Sequence, residues 1–192
     1  MQENKIFLSI RKKEVFMKLR ILLALLVIFC GGKSLTAALL PERFATAGTG
    51  SGVYLTAWEE VNTTSPVSLT LQTALFQSGS WGSKTLASGV VPVSSFPVIA
   101  MNSTGNACMA WYSFDRTSQT RSLYVNTFSL LGGWGTPTKL STTNRTVRDN
   151  YKVSIDSTDL ITVTWEELTS LPFLFVATST FGGGWTTTQL SP

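Results

Sequence analysis

Histidine is absent from this 192-residue chain and cysteine occurs only twice. Without an imidazole there is no Ser-His-Asp or Cys-His relay, and the usual zinc and iron ligand sets lose their commonest member. Charged residues are scarce too, at 14% of the chain, and basic runs with interleaved aromatics do not occur in residues 38–192. Nucleic-acid binding therefore has no footprint. Helical periodicity is missing past residue 38, so no glycine-rich loop leads into the helix that a phosphate cradle requires.

The formal charge of +4 does not describe the mature protein. Lys5, Arg11, Lys12, Lys13, Lys18, Arg20 and Lys33 place seven cations in residues 1–37 against Glu3 and Glu14. Residues 38–192 carry eight cations and nine anions, a net charge of −1. The basic stretch leads into the apolar run Ile21 to Phe29, then Gly31-Gly32 and the small residues Thr36-Ala37-Ala38. That order is a secretory signal, which makes residues 1–37 a signal peptide and predicts a periplasmic, cell-surface or extracellular protein. Met17-Lys18-Leu19-Arg20 would start a compact signal by itself, so residues 1–16 are a candidate gene-model extension. The apolar run is short of the roughly 20 residues that cross a bilayer, so no permanent membrane span is expected. Phe29 is too bulky before Cys30 for lipoprotein acylation. Removing the leader leaves Cys108 by itself, in the apolar run Ala107 to Trp111, where a small buried hydrophobe is expected.

Self-similarity organises residues 38–192. Trp58, Trp111 and Trp165 recur at spacings of 53 and 54, and Trp81, Trp134 and Trp185 at 53 and 51. Leu86, Leu140 and Leu190 follow the second series, and Phe44, Phe96 and Tyr151 precede the first. Three repeats result, at about 44–90, 96–144 and 151–192. Each reads as four short strands. In the third, Tyr151, Val153 and Ile155 alternate with polar residues, and the turn Asp156-Ser157-Thr158-Asp159 follows. The next strand, Leu160 to Trp165 or Ala107 to Tyr112, is apolar on nearly both faces, which predicts cover on both. The third strand is Leu123 to Leu130 or Phe173 to Phe181, rich in β-branched and aromatic residues. The last is Trp134 to Ser141 or Trp185 to Ser191. Pro137 cannot donate to a ladder, which puts that last strand at a sheet edge.

The string FPVIAMNSTGNACMAWYSF at 96–114, followed by GGWGTPTKLS at 132–141, resembles the blades of exported bacterial β-propeller proteins. The resemblance covers residues 44–191. It implies an all-β fold of three four-stranded antiparallel blades, and leaves function open, because such propellers serve as lectins, scaffolds and enzymes alike. The first repeat departs from the pattern at Ala45 to Gly50, a poor first strand. The Ser-x-Asp-x-Gly-x-Thr-Trp box of sialidases is missing.

Candidate chemistry is sparse. Glu59-Glu60 and Glu166-Glu167 recur at one repeat position, and neighbours on a strand point to opposite faces, so neither pair serves as the two facing carboxylates of a glycosidase. Solvated strand-end charge is the expectation for them, and solvated surface for Arg116, Arg121, Arg145 and Arg148. Trp58, Trp111 and Trp165 are expected to pack between blades. Trp81, Trp134 and Trp185 follow Gly- or Ser-rich turns, where a ring stacks on a sugar or on the next blade; they are the candidate ligand-binding residues. Asn62, Asn102 and Asn144 begin N-glycosylation triplets. No cofactor or metal site is indicated. The leading expectation is an exported, non-catalytic binding or structural module with a glycan or protein ligand. The alternatives are a carbohydrate-active enzyme with carboxylates from different blades, and a truncated piece of a longer array. Closed propellers have about four to eight blades, so three repeats predict a homodimer completing a six-bladed ring.

Overall fold

The computed structural model describes residues 44–62, 68–88, 97–115, 118–142 and 145–191, all within the compact unit Pro41–Pro192. The expected signal segment, Phe96, Arg116 and Asn144 lie outside the described residues. Among those described there is no helix, and hence none long and apolar enough to cross a membrane.

The described residues form three antiparallel sheets. The first runs β1 (Phe44–Gly48), β2 (Tyr54–Asn62), β3 (Ser68–Gln77) and an outer strand in two halves, β4 (Ser80–Trp81) and β5 (Thr85–Leu86). The second repeats this order with β6 (Val98–Met101), β7 (Ala107–Asp115), β8 (Thr120–Ser129), β9 (Gly133–Trp134) and β10 (Thr138–Lys139). In the third the first strand is divided instead, into β11 (Thr146–Val147) and β12 (Lys152–Ile155), followed by β13 (Leu160–Leu168), β14 (Pro172–Thr180) and β15 (Thr186–Gln189). Counting each divided strand once gives four strands per sheet.

The outer strands divide for a local reason. In the first sheet Trp81 opposes Phe76 and Leu86 opposes Gln72, so the outer strand carries one residue more than β3 over the same stretch. The second sheet has the same bulge between the pairs Trp134–Phe128 and Thr138–Val125, and Pro137 sits within it, where no ladder donor is needed. β15 pairs with β14 without interruption. The bulge also corrects one landmark. Ala87, Leu140 and Leu190 are the equivalent residues, each donating its N–H to the middle of the third strand, at Leu71, Leu123 and Leu174. Leu86 falls one residue short and is exposed. The serine that follows each of these residues closes the edge: Ser88, Ser141 and Ser191 accept from the N–H of Leu71, Leu123 and Leu174 at 3.1, 2.9 and 3.2 Å.

Residues Ala45 to Gly48 do form a first strand, contrary to expectation, with five register pairs from Phe44–Trp58 to Gly48–Tyr54. Gly48 makes this possible, because a Cβ there would run into the Tyr54 ring.

The sheets stack face to face in chain order. Ala107, Met109 and Trp111 of β7 point toward the first sheet and pack with Leu55, Ala57 and Leu71. Cys108 and Ala110 point the other way and pack with Ile161, Val163 and Trp165 of the third. β7 is therefore buried from Ala107 through Trp111, as its two-sided apolarity predicts. β13 alternates between buried and half-buried, because the third sheet has a described neighbour on one face only. Burial pushes the Cys108 thiol up to about 12, so it stays protonated and inert.

Each inner turn is built alike. Asn102 Oδ1 accepts from the Thr104 N–H and hydroxyl and from the Asn106 N–H. Asp156 Oδ1 does the same with Thr158 and Leu160, and Thr49 Oγ1 accepts from the Val53 N–H. The residue three further on has positive φ in all three turns: Gly52 (86°), Gly105 (86°) and Asp159 (65°). Asp159 tolerates this conformation because its carboxylate is engaged, accepting from Asn102 Nδ2 at 2.7 Å and Asn106 Nδ2 at 3.0 Å. These bonds clasp the second sheet to the third.

Two outcomes follow. Replacing fully buried Trp111 or Trp165 by Ala should cost about 3–5 kcal/mol in urea unfolding, and half-buried Trp185 markedly less; equal losses would contradict the stacking. The Thr158 hydroxyl and the Leu160 N–H hold the Asp156 carboxyl below its ordinary value. Its contribution is therefore present above the ordinary carboxylate range and lost as pH falls through the lowered value. Asp156→Asn keeps an acceptor there, as Asn102 does in the second sheet, and should lose less stability between pH 7 and pH 3, roughly, than the native chain. Identical acid limbs would contradict this.

Candidate functional site

The three tryptophans of the second series have three different surroundings, and the register explains why. Tyr54, Ala107 and Ile161 are equivalent, four residues before each first-series tryptophan. They pair with Phe76, Phe128 and Ser179. Two sheets thus carry a phenylalanine where the third carries a serine. Trp81 packs on Phe76 and Trp134 on Phe128, each with ring centroids 5.3 Å apart. Trp185 faces Ser179 instead and packs, half-buried, against the core of the second and third sheets.

At the first junction this position is filled. Phe128 is buried with Leu55 and Ala107, Leu75 packs on them, and the Trp134 indole N–H donates to Thr73 Oγ1 at 2.7 Å. Asn126 completes the seam by donating to the Ala87 and Gly135 carbonyls at 2.9 and 3.0 Å. Trp134 is thereby committed to packing. At the second junction Leu75 is replaced by its equivalent Thr127, and Phe128 by Ser179. Two bulky apolar side chains become two short hydroxylated ones: Ser179 is buried with its hydroxyl donating to the Thr180 carbonyl, and Thr127 is half-buried beside it.

The result is a cleft of about 520 Å³ lined from the second sheet by Thr127, Thr136, Thr138, Lys139 and Leu140, and from the third by Ser179, Gly182, Gly183, Gly184, Trp185 and Thr187. Its chemistry is one aromatic ring, several hydroxyls and a single cation. The Gly182–Gly184 hairpin carries no side chains to narrow the opening. Because Thr180 pairs with Leu160, this hairpin lies at the same end of the third sheet as the Asp156–Asp159 turn, so clasp and cleft occupy one end of the junction.

The acidic pairs lie elsewhere and are occupied. Glu60 binds Lys84 at 2.7 Å and Glu166 binds Arg148 at 3.1 Å. Glu167 departs from the expected solvated charge, being fully buried. Its carboxylate accepts from the Trp165 indole and the Thr142 N–H and hydroxyl, which join the third sheet to the end of the second. Adjacent carboxylates do face apart, since Glu166 is half-buried on the outer face and Glu167 is sealed on the inner. The arginines are engaged as well. Arg121 pairs with Asp149 at 2.8 Å and lies over the Tyr112 ring, and Arg145 covers Phe173 with its guanidinium 4.2 Å from the centroid. Asn102 is 5% exposed with its amide donating to Asp156 and Asp159, which leaves no acceptor for a glycan.

In the sequence Ser179 and Thr127 look like ordinary strand residues. Only the register puts them opposite Phe128 and Leu75 of the preceding junction. Comparison with protein-family models and with curated proteins finds no match to this chain, so its function is argued from this geometry.

Proposed function

We propose that this chain is an exported, non-catalytic binding module of β-propeller type, and that it takes a saccharide in the cleft between the second and third sheets. The observation that carries the reading is the exchange of Leu75 and Phe128 at one junction for Thr127 and Ser179 at the next. A repeat protein gains nothing in stability from opening one of its junctions, and sites are commonly breaks in such symmetry. Sugar rings offer apolar C–H faces and hydroxyl edges. The indole of Trp185 suits the first, and Thr136, Thr138 and Thr187 suit the second. Export rests on the leader and on the near-neutral charge of residues 38–192. As a propeller-type module the chain is proposed to complete a six-bladed ring with a second copy.

A glycan array probed with the native chain, Trp185→Ala and Ser179→Phe tests this. Loss of the stacking ring should weaken binding at least about tenfold, equivalent to roughly 1.4 kcal/mol. Ser179→Phe puts a phenylalanine beside Trp185 and opposite Ile161; the folded variant, verified by circular dichroism, should fill that end of the cleft and bind nothing. Undiminished binding by Ser179→Phe would put the ligand elsewhere.

A further inference from the structure

The outer face of the first sheet carries the same aromatic constellation that the second sheet buries. Phe76 and Trp81 meet at 5.3 Å and 59°, and Phe128 and Trp134 at 5.3 Å and 55°. Trp58 stands where Trp111 stands. The second sheet's set is covered by the first sheet, and Trp111 there is fully buried. In the first sheet Trp58, Phe76 and Trp81 are only half-buried, and beside them Tyr54 is 44% and Phe44 58% exposed. The molecule therefore shows what such a face packs against: the opposite face of a sheet of the same repeat, carrying the equivalents of Leu55, Ala57, Leu71 and Thr73.

Within this chain one sheet has that opposite face open. In the third sheet the equivalent residues are Thr162, Thr164, Leu174 and Val176, with Thr178 at the place of Leu75 and Leu174 38% exposed. A chain cannot fold its first sheet onto its third past the second, so the partner is a second copy. We infer that the Phe76–Trp81 face of the first sheet docks on the Leu174–Val176 face of the third sheet of another copy. The contact is head-to-tail, and made twice it closes the two chains into a ring. The inference rests on the propeller reading and assigns the surfaces that the ring uses.

Light scattering on the exported chain at micromolar concentration tests it with two variants, Phe76→Glu on the first-sheet face and Val176→Glu on the third. The native chain should have the mass of two chains and each variant that of one. An equimolar mixture of the variants should regain the two-chain mass, because each contributes the face that the other has lost. Trp81→Lys and Thr164→Lys, at half-buried positions, repeat the test if either glutamate impairs folding by circular dichroism. A native single-chain mass overturns the inference. So does a Val176→Glu variant that stays dimeric while Phe76→Glu does not, which would mean that the first-sheet face pairs with its own copy. Glycan retention measured in parallel separates the readings: a single chain that still binds saccharide loses the interface and keeps the proposed binding function.

Discussion

Covering both faces of the middle sheet is the constraint on which the rest of this structure depends. β7 places Ala107, Met109 and Trp111 on one face and Cys108 and Ala110 on the other, all fully buried. Such a strand is unstable in any sheet with a wet side, so it demands a neighbour on each face. The first sheet meets that demand with Leu55, Ala57 and Leu71, and the third with Ile161, Val163 and Trp165. Polar details then serve the stacking. Trp165 finds Glu167 for its indole N–H, whereas Ser113, at the same position in the second repeat, leaves the Trp111 indole without a partner among the described residues. Burial of the ring outweighs that loss, since an unmet donor costs about 1–3 kcal/mol and a buried tryptophan contributes more.

The two junctions use the same backbone and differ in chemistry. The first is aromatic, filled by Phe128, Trp134 and Leu75 and crossed by the Trp134–Thr73 and Asn126–Ala87 hydrogen bonds. The second is fastened by polar bonds on its inner side, where Asp159 holds Asn102 and Asn106, and carries the cleft on its outer side, between Thr136 and Thr138 of one sheet and Gly182–Gly184 and Thr187 of the other. The clasp adds to an apolar contact that joins Cys108, Ala110, Leu123 and Val125 of the second sheet to Ile161, Val163, Trp165 and Phe175 of the third. It also explains an unfavoured backbone: Asp159 takes the conformation that glycine takes in the other two turns because its carboxylate is needed there.

Much of the architecture was legible in the sequence. The tryptophan spacing gave three units, the alternation in Tyr151 to Ile155 marked a strand, and the two-sided run Ala107 to Trp111 identified an inner strand. Pro137 marked the sheet edge. What the sequence did not disclose was pairing. Leu86 was aligned with Leu140 because the letters match, but a one-residue bulge makes Ala87 the equivalent, and bulges follow from register rather than composition. Glu167 read as surface charge because its donors, Thr142 and Trp165, come together only when the second and third sheets meet. The first strand at Phe44–Gly48 is weakly marked in the sequence because small residues have weak β propensity, although a close ring over Gly48 favours them. The cleft is the hardest case. Trp185 was a candidate from its turn, but so were Trp81 and Trp134, and only the residue across the ladder, Ser179 or phenylalanine, separates them.

Backbone hydrogen exchange resolved by residue is the most direct measurement of the central claim. If the stack depends on a middle sheet covered on both faces, the amides of Ala107–Asp115 exchange slowest of all, by global unfolding, while those of Thr186–Gln189 on the exposed outer strand exchange far faster. Exchange at Ala107–Asp115 as fast as at Thr186–Gln189 would contradict it.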